Sequence, residues 1–109
     1  MGYYTRYTLT TINNSEYWQP EHDEAIKYIS EQLEGYAINE DGTTSDSCKW
    51  YHHEDDMKKF SKKYPDIVFV LDGEGEDSGD IWRLYVKNGK IFKSFANIVF
   101  DEYDESKLK

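Results

Sequence analysis

Cysteine occurs once in the 109 residues and proline twice, and no stretch reaches the run of about 18 apolar residues that a membrane-spanning helix needs. The lone thiol, Cys48, cannot close a disulfide within the chain, so stability has to come from an ordinary core, and a reducing, cytoplasmic setting is expected. The first residues, MGYYTRYTLTT, lack the apolar centre of a secretory leader. Basic residues are scarce as well: 13 Lys and Arg stand against 22 Asp and Glu, a formal charge of −9. A surface of that sign repels nucleic acid and anionic lipid, whose binding depends on cations neutralising phosphates, so direct nucleic-acid binding and membrane association are not expected. The same field draws in a basic protein surface, including one whose own ligand is DNA; with no partner it serves only solubility.

Aromatic residues make up 17% of the chain, enough large side chains for one core in a single domain spanning 1–109. The alternation from Tyr3 to Ile12 predicts a strand, closed by the turn residues Asn13-Asn14-Ser15. Ile26, Ile29 and Leu33 recur at helical spacing behind Pro20 and an acidic first turn, with Gly35 as a stop. Tyr36–Ile38 and Cys48–Tyr51 read as short strands around a polar loop, Glu40–Ser47. A second helix is predicted from the histidines at 52 and 53, with Met57, Phe60 and Tyr64 on one face, acids at its start and lysines toward its end, and Pro65 stopping it. Asp66–Leu71 reads as the central buried strand, Asp72–Gly79 as an acidic hairpin tip, and Ile81–Lys87 with Lys90–Phe100 as a hairpin through Asn88-Gly89, broken near Ala96-Asn97. The order implies an α+β fold: an antiparallel sheet with two helices on one face, ferredoxin-like with an extra C-terminal hairpin and a loose tail at 101–109.

Three constellations invite chemistry. An EF-hand loop begun at Asp72 needs Gly at its sixth place and Glu at its twelfth, where the chain has Asp77 and Arg83. His52, His53 and Cys48 are zinc-ligand types without paired spacing, and neighbouring histidines on a strand point to opposite faces; a helix cap or packing beside Trp50 is the preferred reading. Cys48 with a histidine lacks any local signature of a thiol nucleophile. No catalytic residue, metal or cofactor is therefore expected. The remaining signal is a recognition surface: Tyr17 and Trp18 ahead of the first helix, the helix acids Glu21, Asp23, Glu24, Glu31 and Glu34, and the loop acids Glu74, Glu76, Asp77 and Asp80. Aromatic rings supply contact area and carboxylates supply orientation and on-rate.

The segment Lys49-Trp50-Tyr51-x-His53-Glu54-x-Asp56-Met57-Lys58, then Ser61-Lys62-Lys63-Tyr64-Pro65-Asp66, Gly73-Glu74-Gly75-Glu76, Asp80-Ile81-Trp82-Arg83 and Lys87-Asn88-Gly89-Lys90, resembles a group of small proteins encoded by phages and mobile elements. The resemblance covers roughly the C-terminal 60 residues, with MGYYTRYTL also similar. It brings no catalytic residues. It implies an acidic inhibitor that imitates the charge of DNA and occupies the basic surface of a host or defence protein, as an anti-CRISPR protein would. A small metal-dependent enzyme built on the acidic loop and histidine pair, and a structural, oligomer-forming phage component, are the alternatives.

Overall fold

The computed structural model describes residues 4–12, 19–76, 79–96, 100 and 102–109. Strand β1 (Thr5–Thr11) is followed by two consecutive helices, α1 (Pro20–Gln32) and α2 (His53–Ser61). Strands β2 (Phe69–Gly75), β3 (Ile81–Lys87) and β4 (Lys90–Phe95) then form a meander, and a short 3-10 turn spans Glu105–Lys107. All neighbours are antiparallel, and the sheet order is β1-β2-β3-β4.

The pleat sorts the sheet into two faces. Leu9, Leu71 and Leu84 lie opposite one another across three strands, as do Thr11, Phe69 and Val86, and Tyr7, Gly73 and Trp82. These apolar side chains join Ala25, Ile26 and Ile29 of α1 and Met57 and Phe60 of α2 in one core, so both helices cover the same face. Gly73 has a specific reason to be glycine: a Cβ there would run into the indole ring of Trp82, which lies flat across it.

Helix α1 begins with Pro20, whose fixed φ suits a first turn, and His22 Nδ1 lies 2.7 Å from Thr11 Oγ1, tying the helix start to the end of β1. It ends in a pair of bonds from Glu34 N–H to Glu31 O and from Gly35 N–H to Ser30 O, each 3.0 Å. This closure puts the left-handed turn on Glu34 (φ 54°) as well as on the expected glycine (φ 77°). In α2 the acids Glu54, Asp55 and Asp56 and the lysines Lys58 and Lys59 follow the helix dipole. Ser61 Oγ donates to Lys58 O and accepts from Gly89 N–H at 2.8 Å, fastening α2 to the β3–β4 hairpin.

The coarse α+β expectation matches, but the ferredoxin-like interleaving does not. Tyr36–Ile38 and Cys48–Tyr51 contribute one isolated bridge each, Ile38 to Thr44 and Cys48 to Thr5, so no strand separates the helices among the described residues. Ala37 (φ 72°) and Ile38 are buried because their side chains enter the core from a turn, which imitates a strand's composition. The C-terminal hairpin is half of the sheet itself. β2 runs on through Asp72-Gly73-Glu74-Gly75, shortening the expected acidic tip, and β4 stops at Phe95; the expected break at Asn97 lies outside the described residues. Segment 42–48 lies along the outer side of β1: Leu9 N–H donates to Gly42 O, Thr5 and Cys48 exchange both backbone bonds, and Thr44 Oγ1 donates to Tyr7 O. Gly42 (φ 90°) permits this approach, since a Cβ there would strike the carbonyl of Leu9.

Candidate functional site

Four shallow clefts follow one another from α1 across the 34–48 segment to the end of β2, and each shares a lining residue with the next. Asp23, Lys27, Glu40 and Asp41 border the first, and Glu40 passes into a second bordered by Glu31 and Glu34. Glu34 passes into a third with Asp46 and Ser47, and Ser47 into a fourth bordered by Arg6, Glu74 and Glu76. The result is a continuous acidic band running from α1 through the 39–47 loop to the end of β2. Lys27 and Arg6 are the cations among its lining residues, and Arg6 faces Glu74 in the strand register. Asp41 Oδ1 accepts from both the amide and the hydroxyl of Thr43, which lowers the Asp41 carboxyl from its ordinary value and holds it ionised.

The expected recognition residues divide accordingly. Asp23, Glu31, Glu34, Glu74 and Glu76 lie on the band. Glu21 and Glu24 line none of these clefts; burial, and then the charges of Glu24, Glu21 and Glu31, raise the nearby Tyr64 hydroxyl above its ordinary value. Asp80 closes the β2–β3 turn, its carbonyl accepting from Gly75 N–H at 2.9 Å. Tyr17, Trp18 and Asp77 lie outside the described residues. Glu40, Asp41 and Asp46 were not singled out from sequence because they sit in a polar loop without periodicity; the signal was that loop's own lack of lysine.

The histidines do not converge. His52 occupies the N-cap position of α2 and is exposed. His53 stacks on Trp82 at 4.8 Å between ring centroids and packs edge-on to Trp50. Its Nδ1 donates to Trp50 O at 3.0 Å, which leaves Nε2 to accept from Lys93 Nζ at 3.4 Å. Lys93 lies over the Trp82 ring at 4.2 Å and 4.0 Å from Glu54. Burial, reinforced by the Lys93 ammonium, depresses the His53 pKa, so the ring is neutral at pH 7. Tyr7 completes this aromatic cluster; burial pushes its hydroxyl up to about 12, and that hydroxyl donates to Trp50 O. Cys48 is buried and its thiol is raised by burial, the reverse of an activated nucleophile. Among the described residues no three His, Cys, Asp or Glu side chains are gathered as metal ligands.

Among the described residues, no helix covers the opposite face of the sheet. A shallow concavity of about 490 Å³ lies there between Arg6 and Thr8 on one side and Ile81, Arg83, Tyr85 and Ser94 on the other. Arg83 and Asp72 pair across it through two bonds of 2.7 and 3.3 Å. Among the described residues no helix is long and apolar enough to cross a membrane. No family model, curated protein or solved structure matches the chain.

Proposed function

We propose that the protein is a non-enzymatic binding protein whose acidic band occupies a basic, nucleic-acid-binding surface of another protein. The observation that carries this reading is the continuity of the band: its carboxylates line clefts that share walls, so a partner meets them together. Glu34 adds support. It holds a carboxylate at the negative end of α1, where the last turn has no basic residue, and in a left-handed conformation that glycine adopts more readily. Two local costs at one exposed residue fit selection for something other than folding. The resemblance to phage and mobile-element proteins supports a host or defence protein as the target, with inhibition by steric and electrostatic occlusion.

The test is capture of host proteins on the immobilised chain, with competition by duplex DNA. Bound proteins should be DNA- or RNA-binding, should be released by salt and by duplex, and should be lost from the Glu31→Lys/Glu34→Lys/Glu40→Lys variant. Capture indifferent to salt, to duplex and to the reversal would overturn the reading.

A further inference from the structure

We infer that the helix-free face of the sheet, at β3 and β4, is a docking site for the C-terminal arm of a second copy of this chain, exchanged reciprocally. Alternation places Arg83, Tyr85 and Lys87 of β3 and Lys90, Phe92 and Ser94 of β4 on this face. Tyr85 and Phe92 form a ring pair 6.1 Å apart, and Phe92 is 65% exposed. In a chain of charge −9 this is a basic, aromatic patch.

The arm has the complementary chemistry. Glu102, Asp104 and Glu105 surround Tyr103, which is 79% exposed, and Phe100 is 87% exposed. The arm is locally formed all the same: Asp104 Oδ1 accepts from Ser106 N–H at 3.0 Å and from its hydroxyl at 2.7 Å, capping the 105–107 turn. A formed turn that leaves its aromatic side chains in water has a recognition element's character. Leu108 is exposed as well, so the apolar side chains of the arm are not packed on its own body. A single-stranded nucleic acid would suit stacked rings and lysines, but the overall charge opposes it, whereas the arm brings only a few carboxylates. The inference rests on β3, β4 and the arm and not on the acidic band, which reaches this face at Arg6 and Glu74.

Sedimentation velocity of the full chain from low to high micromolar concentration, at low and high salt, provides the test. A dimer at low salt is expected, weakened by salt and converted to monomer by Phe100→Ser/Tyr103→Ser. Those side chains lie outside the core, so circular dichroism should be unchanged. Lys87→Glu/Lys90→Glu and Glu102→Lys/Glu105→Lys should each be monomeric alone and should form a mixed dimer when combined, because each face then meets an arm of opposite charge. A monomer at every concentration would overturn the inference, whether hydrogen exchange finds β4 protected by its own arm or a labelled oligonucleotide binds the face. A dimer that survives every arm and face substitution would overturn it as well.

Discussion

Glu34 separates stability from recognition at a single residue. Its φ of 54° costs a residue with a Cβ about 1–2 kcal/mol relative to glycine. Glu34→Gly should therefore raise stability by about 1 kcal/mol, measured by chemical denaturation, while weakening capture of the basic partner. His53 gives a second readout. Its folded pKa is below the ordinary value, so over the interval between the two the unfolded chain binds the extra proton. Stability is then complete above the ordinary histidine range and falls as pH drops through that interval. Melting temperatures taken between pH 7.5 and 5.5 should show this loss, and His53→Phe, which keeps a ring on Trp82, should flatten it relative to the parent. Single residues of this kind were only partly legible in the sequence. One of the two adjacent histidines was expected to cap the second helix or to pack beside Trp50, because they lack the paired spacing of zinc ligands; which one packs there, His53, is visible only in the fold. Lys93 over Trp82 was hidden, because a lysine pointing toward the helices in an edge strand looks the same as one pointing to water.

At the level of elements, the helices and the hairpin were readable because each is a local pattern: an apolar period of three to four residues, acids before lysines, and Asn-Gly between alternating runs. What failed needed long-range information. Short apolar triplets such as Tyr36–Ile38 read alike whether they pair with a neighbour or drop side chains into a core from a turn. The extension of β2 through Gly73 and Gly75 was masked because glycine erases the alternation that marks a strand, and its purpose, room for the Trp82 ring, is visible only across the sheet. Ser61 shows how such elements are joined. Its hydroxyl is the acceptor for Gly89 N–H, so Ser61→Ala leaves a partly buried amide unsatisfied and should cost about 1–3 kcal/mol in a thermal or urea melt. Ser61→Thr tests the same contact with the hydroxyl retained.

Across the whole molecule, charge is segregated: acids gather along α1, the 39–47 loop and the end of β2, and Lys87, Lys90 and Lys93 lie at the β4 side. Repulsion within the acidic band should make the protein more stable as sodium chloride is raised from low ionic strength to about 0.5 M, where screening acts within a few ångströms. Glu31→Lys/Glu40→Lys should shrink that salt response, with a change of about 0.5–1 kcal/mol at low salt followed by calorimetry. Composition announced the excess of acid but not its arrangement, since the band is assembled from a helix, a loop and a strand end far apart in sequence. The segment laid along β1 has one more effect. Among the described residues that border is covered and β4 is the edge left to a neighbouring chain, so a pair joined there would present a covered border on both outer sides. Growth by strand addition therefore terminates after one step, and concentrated protein is protected from fibre formation by its own topology.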